Sequence, residues 1–163
     1  MHKESFAQMK RILERFAGQK HSVLDVGSMD VNGNYRGLVE GMGWSYVGLD
    51  LAPGKNVDIV VDDPYDFGIQ DCSYSLVISG STMEHVKSIW RWVPELARVT
   101  SIEGHVVILT HTSWELHRYP VDCWRIMPDG MRHLFDECGN LIDYDIQMYN
   151  STDISGVATK YRK

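Results

Sequence analysis

VLDVGSMDVNGNYRGL, residues 23–38, is the stretch on which the fold turns. Apolar positions surround Asp25 and run into Gly27, the pattern of a buried strand ending in a tight turn. A dinucleotide loop needs a second glycine so that a pyrophosphate can approach the backbone at a helix N-terminus. Met29 stands in that place, and the next glycine, Gly33, comes late. The loop argues against close phosphate approach, yet it keeps Gly27, Ser28, Asp30 and Asn32 just past a strand end, where α/β sheets bind their ligands. A lone glycine after a strand is also compatible with a plain turn.

Outward from this stretch, short apolar runs recur at regular intervals. SVLDV (22–26) leads to a helix predicted around Tyr35 to Met42, then SYVGLD (45–50) and VDIVV (57–61). SYSLVIS (73–79) precedes a helical stretch from His85 to Val99, and HVVILT (105–110) follows Gly104. Apolar runs alternating with helices predict an α/β domain around a buried parallel sheet. Pro94 predicts a break, with one short helix ending near Trp92 and another starting at Pro94. Only LAPGKN separates the second strand from the third, where a parallel crossover usually takes about a dozen residues.

Phe6, Met9, Leu13 and Phe16 recur at helical spacing ahead of Gly18, an amphipathic helix expected to pack on its own domain. At the other end, THTSWELHRYPVDCWRIMPDG (110–130) is aromatic, turn-rich and without periodicity. A helix from about Pro128 to Glu137 and two strands, LIDYDIQMY and GVATKYR, complete the chain. With no repeat and no linker, residues 1–163 read as a single domain.

The net charge of −6 argues against a nucleic-acid partner, which requires clustered basic residues. Cys72, Cys123 and Cys138 form no CxxC pair, and the charged N-terminus lacks a signal-peptide core. No apolar run reaches membrane-spanning length. These features predict a cytoplasmic protein with reduced thiols and no membrane partner. The aromatics of the later segment also suit a homodimer face.

Asp50 ends the second strand, where a carboxylate accepts hydrogen bonds from both hydroxyls of a ribose or simply caps a loop. Asp62 and Asp63 end the third, in reach of an adenine amino group, although Pro64 makes a turn equally natural. A ligand with ribose and adenine but no pyrophosphate fits this set, and S-adenosylmethionine is such a ligand.

The order VLDVGS, YVGLD, VDIVVDD, YSLVISGSTMEHV, ELARVTSIEGHVVILT resembles the class I S-adenosylmethionine-dependent methyltransferases over about residues 22–110. HRYPVDCWRIMPDGMRHLF is similar to a subgroup linked to glycan or small-molecule tailoring. The resemblance implies a Rossmann-like three-layer sandwich whose central sheet has about seven mostly parallel strands, the last antiparallel. It implies S-adenosylmethionine as cofactor, held by Asp25, Gly27, Ser28 and Met29 at the amino-acid end and by Asp50 and Leu51 at the ribose and adenine. Asp62 or Asp63 falls near the adenine amino group, and Ser79, Gly80 and Ser81 fall at the fourth strand's end. Met29 and Val31 replace the family's usual glycines, so the path of the loop is open.

For a hydroxyl acceptor, methyl transfer calls for alignment and a base, and histidine is suited to that near neutral pH. His85 and His117 are the catalytic candidates, each with an ordinary reading as a helix opener or a loop residue. Glu84, Trp114, Tyr119, Asp122, Trp124 and Arg125 combine aromatic walls with polar heads, as a small-molecule acceptor pocket does, unless Arg125 merely pairs with Asp122 and the tryptophans complete the core. His111, His117, Asp122 and Cys123 offer metal-ligand types, but their spacing matches no compact pattern, and no metal is expected. Two alternatives stand beside methyl transfer to a sugar or glycan-linked hydroxyl. One is a nicotinamide-nucleotide oxidoreductase, and the other is a methyltransferase-like binding domain without turnover.

Overall fold

The computed structural model describes residues 3–162. Helix α1 (Lys3–Glu14) precedes β1 (Ser22–Val26), α2 (Arg36–Gly41), β2 (Ser45–Asp50), β3 (Ile59–Val60) and β4 (Tyr74–Gly80). A single 3-10 turn, Met83–His85, leads to α3 (Ile89–Val99), β5 (Thr100–His111), α4 (Pro128–Cys138), β6 (Leu141–Met148) and β7 (Asp153–Lys160). The strands form one sheet in the order β3-β2-β1-β4-β5-β7-β6. Only β7 runs against its neighbours, pairing antiparallel with both β5 and β6. This is the Rossmann-like architecture expected, with helices on both faces of a mostly parallel sheet.

Side chains alternate along each central strand, so two cores form. Leu24, Val26, Val77, Val106 and Ile108 pack with Trp92, Leu96 and Phe135 of α3 and α4 on one face. Val23, Leu76, Ile78 and Val107 pack with Met9, Leu13 and Val39 of α1 and α2 on the other. The amphipathic N-terminal stripe thus covers its own domain. Strand order reverses between β1 and β4, which opens a crevice at their C-terminal ends.

Three expectations are corrected. The stretch around Pro94 is one helix, not two. Proline removes the bond that the Trp90 carbonyl would accept, but Trp90 and Pro94 both face solvent, where water can replace that donor. Strand β5 begins at Thr100, directly where α3 ends, five residues before the apolar run. Strand β3 is reduced to Ile59–Val60, and a loop without a helix joins it to β2. Helix α4 obeys its sequence signals: Pro128 opens it, and Gly139 closes it in a left-handed conformation with φ 71°. Among the described residues no helix is long and apolar enough to cross a membrane.

Candidate active site

The loop after β1 is tied to β2 rather than to its own helix. Gly27 N and Ser28 N both donate to Leu49 O, at 2.9 and 3.1 Å, and Met29 N donates to Asp50 Oδ2 at 3.0 Å. Leu51 N donates to the other Asp50 oxygen at 2.7 Å. The strand-end carboxylate therefore fixes two backbones and keeps lone pairs for a ligand. Gly27 has φ 80°, and a Cβ there would lie 2.1 Å from Thr82 Oγ1. The glycine is required by the approach of the two strand-end loops. Met29, in the place of the missing glycine, lays its side chain against Gly54. Asp30 accepts from Gly33 N and Asn34 Nδ2 and pairs with Lys55, which together hold its carboxyl down at about 2.

Behind the loop lies a polar network that no motif announces. Tyr46 donates its hydroxyl to the buried Asp25 carboxyl. Asn56 Nδ2 donates to Tyr46 Oη at 2.7 Å and to Ser28 O at 2.8 Å. Arg36 reaches Asn56 Oδ1 at 2.8 Å and Asp58 at 2.6 Å, and its guanidinium lies over the Tyr46 ring. Burial pushes the Asp25 carboxyl up to about 7, against the Tyr46 bond that would lower it. Burial likewise raises the phenols of Tyr46 and Tyr35.

The opposite wall is the end of β4 and the 3-10 turn. Ser81 adopts φ 55°, a left-handed conformation rare for a residue with a Cβ, while Ser81 N bonds to Leu109 O. The Tyr35 hydroxyl is buried with no hydrogen-bond partner among the described residues and would lie 2.3 Å from a Cβ at Gly80. Residues 112–127 fold back over this wall without helix or strand. Cys123 N donates to Glu84 O, Trp124 Nε1 to Val86 O, and Ile126 N to His111 O. The His85 Nδ1 position lies 2.6 Å from Val121 O. Inside the segment Arg125 makes a forked pair with Asp122, at 2.6 and 2.8 Å, and also bonds to Trp114 O and Glu115 O. Those Arg125 bonds hold the Asp122 carboxyl far below the ordinary range.

These walls enclose a cleft of about 580 Å³, within the roughly 300–1,000 Å³ of small-molecule sites. Of the residues singled out from sequence, Asp25, Gly27, Ser28, Met29, Asp50 and Leu51 line one side of it. Gly80, Ser81, His85, Trp114, His117 and Tyr119 line the other. The remaining seven lie outside that lining. Asp62 is exposed on the far side of β3, and Asp63 caps a turn by accepting from Tyr65 N. Ser79 points into the sheet and donates to Val26 O, because alternation turns it away from the cleft that Gly80 faces. Asp122, Arg125 and Trp124 hold the roof segment together. Glu84 lies beneath the lining, fully buried, with Oε2 accepting from Thr110 Oγ1 at 2.9 Å. Its Oε1 faces three ring nitrogens: His111 Nε2 at 3.3 Å, and His85 and His117 Nε2 each at 4.0 Å. Tyr35 and Thr82 also line the cleft, outside every candidate set, and His111, weighed from sequence only among metal-ligand types, lines it from the end of β5.

The cleft suits S-adenosylmethionine. The Asp50 carboxylate sits at the ribose position of such sheets, Leu51 and Val31 are exposed apolar groups beside it, and the loop makes no phosphate cradle. Residues 24–108, more than half of the chain, match the family model of a methyltransferase domain. No curated protein sequence matches the chain. A SAM-dependent methyltransferase from Archaeoglobus fulgidus is 15% identical with TM-score 0.77, covering 95% of this chain and 92% of its own. The 1,6-didemethyltoxoflavin-N1-methyltransferase of Burkholderia thailandensis, solved with its substrate and S-adenosylhomocysteine, is 13% identical with TM-score 0.73. The match covers 97% of this chain and 79% of that one. Phosphoethanolamine N-methyltransferase 2 from Haemonchus contortus, in complex with S-adenosyl-L-methionine, is 14% identical with TM-score 0.72, covering 96% and 53%. At such identities these structures share the fold.

Proposed function

This chain belongs to the methyltransferase domain family and uses S-adenosylmethionine, and from that premise we propose that it methylates a hydroxyl of a small molecule, a sugar or glycan-linked intermediate. The nicotinamide alternative falls with the family match, and the fold leaves no phosphate cradle for it. The observation that carries the proposal is the unlike chemistry of the two ends of the cleft. One end offers the Asp50 carboxylate beside the apolar Leu51 and Val31; the other offers the imidazoles of His85 and His117 under a lid of Trp114 and Tyr119.

The cofactor, when bound, supplies an electrophilic methyl group on a positively charged sulfur. Asp50 and the loop from Gly27 to Met29 bind its adenosyl and amino-acid portions. Residues 112–127 cover the far end and exclude water, so the reacting atoms meet in a defined line. The Val121 carbonyl can only accept, so the His85 proton sits on Nδ1 and its Nε2 turns inward. An inward Nε2 of His85 or His117 takes the acceptor's proton as the oxygen–methyl bond forms and the sulfur–methyl bond breaks. The aromatic faces of Trp114 and Tyr119 suit the C–H face of a sugar ring.

The test is calorimetric titration with S-adenosylhomocysteine and NADH, followed by transfer of labelled methyl groups to separate pools of sugars, phenols and amines. Micromolar binding of the former, about −8 kcal/mol, with label on hydroxyl acceptors supports the proposal. Label on amines alone overturns the choice of acceptor atom.

A further inference from the structure

We propose that Glu84, His85 and His117 form a site for one divalent transition-metal ion, zinc foremost, at the acceptor end of the cleft, with His111 beside them. Three separate elements bring these side chains together. Glu84 and His85 come from the 3-10 turn after β4, His111 ends β5, and His117 hangs from the roof segment. No linear spacing encodes them. The set weighed from sequence shares His117 with it, but Asp122 is committed to Arg125, and Cys123 bonds through its amide to Glu84 O.

Glu84 is the strongest sign. It is 0% exposed, its Oε2 is satisfied by Thr110, and its Oε1 has no hydrogen-bond partner among the described residues. A buried carboxylate oxygen left so is costly unless something positive faces it. What faces it is a set of three Nε2 atoms, at 3.3, 4.0 and 4.0 Å. Donors of a tetrahedral zinc shell at about 2.1 Å stand about 3.4 Å apart. The ligand atoms of Glu84, His85 and His117 lie within 4.8 Å of one another, so small side-chain rotations bring them onto one ion and leave its fourth position open.

The outer contacts agree. His85 Nδ1 lies 2.6 Å from Val121 O, His117 Nδ1 lies 3.1 Å from Glu115 O, and His111 Nδ1 bonds to Asp153 Oδ1. Each of these oxygens accepts a hydrogen bond and so favours the proton on Nδ1, which turns the Nε2 atoms of His85 and His117 inward as donors to an ion. Metal-ligating histidines are oriented this way, by a carbonyl or carboxylate on the other nitrogen. Asp153 is itself anchored by Asn150 Nδ2 at 2.6 Å. Two imidazoles and one carboxylate favour zinc, iron, nickel or copper over magnesium or calcium, which prefer all-oxygen shells. The three histidines line the cleft, so an ion enters from it and keeps a face open towards a ligand.

The consequence for chemistry rests on the proposed transfer to oxygen. An ion here polarises the acceptor hydroxyl, whose proton leaves to water while the oxygen takes the methyl group and the sulfur keeps the bonding pair. His85 and His117 then act as ligands, and neither needs to serve as the base.

The experiment titrates chelator-stripped protein with cobalt(II) and zinc, reading cobalt absorption and competition with a chromophoric chelator. One equivalent of either metal at sub-micromolar affinity, without thiolate charge-transfer absorption, is expected. A His85→Ala/His117→Ala double variant should bind roughly 100-fold more weakly, while Cys72→Ser/Cys123→Ser/Cys138→Ser keeps wild-type affinity. Because Glu84→Gln alters a buried group, it is read only where circular dichroism and S-adenosylhomocysteine binding match wild type. Wild-type protein that takes up no metal overturns the site, as does a double variant that binds as tightly as wild type. S-adenosylhomocysteine titration of the same samples tests the methyl-transfer reading separately, since its failure leaves the metal result standing.

Discussion

The two rims of the cleft are built by opposite means. The rim around Gly27 and Asp50 is sheet: β1 and β2 run in parallel register, and the loop between them hangs on Leu49 O and on a strand-end carboxylate. The rim from Trp114 to Arg125 has no helix or strand. It stays in place through side chains, with Trp124 and His85 reaching across to Val86 O and Val121 O and Arg125 clamping Asp122. The first rim follows from the fold, so it should tolerate little change. The second is a layer of replaceable contacts on that fold, the natural place for acceptor specificity to vary.

The hardest blow to the first rim is Asp50→Ala. It removes the proposed acceptor for two ribose hydroxyls, each bond to a charged group contributing about 1.5–3 kcal/mol, and it frees Met29 N and Leu51 N. Affinity for S-adenosylhomocysteine should fall at least about 100-fold by calorimetry. Unchanged affinity would mean that the backbone alone holds the cofactor.

Next comes Gly27→Ala, where a methyl group meets Thr82 Oγ1 at 2.1 Å from a backbone with φ 80°. A loss of about 3 kcal/mol in urea unfolding is expected, of which the left-handed backbone alone accounts for about 1–2. Adding Thr82→Gly should return the steric part and leave the backbone part. A double variant that recovers fully would show that the conformation at Gly27 is unstrained.

Asp25 provides a third lever on the same rim, through pH. Its carboxyl is raised from 3.8 to about 7, chiefly by burial. The folded protein therefore holds this proton more tightly than the unfolded chain does. The group's contribution is fully present below about pH 4 and is lost as pH rises through about 7. Between pH 5 and 8 the loss is about 3 kcal/mol, or roughly 5–11 °C in thermal midpoint for a chain of this size. Asp25→Asn keeps an acceptor for the Tyr46 hydroxyl and abolishes that part of the decline. Melting curves at the two pH values check it, and equal declines in both proteins would refute buried ionisation at Asp25.

The contrast between the rims also marks how far the sequence could be read. Strands β1 and β2 are legible residue for residue, because a parallel strand covered on both faces is an apolar run with sharp ends. Asp50 and Gly27 follow from those ends, since a strand terminus fixes where its next residue stands. The far wall is not legible in this way. Glu84 carries the signature of a surface acid and is wholly buried, because the roof and β5 close over it. His111 reaches Glu84 only because β5 lies beside β4, a fact of strand order that no local spacing holds. Ser79 stands one position before Gly80, and alternation along β4 turns it to the opposite face, onto Val26 O. Tyr46 and Arg36 lie inside quoted stretches but carry no expected role there, and their network with Asn56 exists only once β2 and its following loop are folded.

The smallest expected effect is on the second rim, and it is the sharpest test of the contrast. Arg125→Ala removes the forked bond to Asp122 and the ties to the Trp114 and Glu115 carbonyls. Asp122 keeps His117 N as a donor, at 2.8 Å, so its buried carboxylate is not stranded. The segment should loosen over the acceptor end without disturbing Asp50. S-adenosylhomocysteine affinity is expected to stay within about threefold, while turnover falls about tenfold, near 1.4 kcal/mol of transition-state stabilisation. Arg125→Lys should not restore it, because a single ammonium cannot make the fork. If cofactor affinity instead falls together with turnover, the two rims are one cooperative structure, and the division of labour between sheet and segment is wrong.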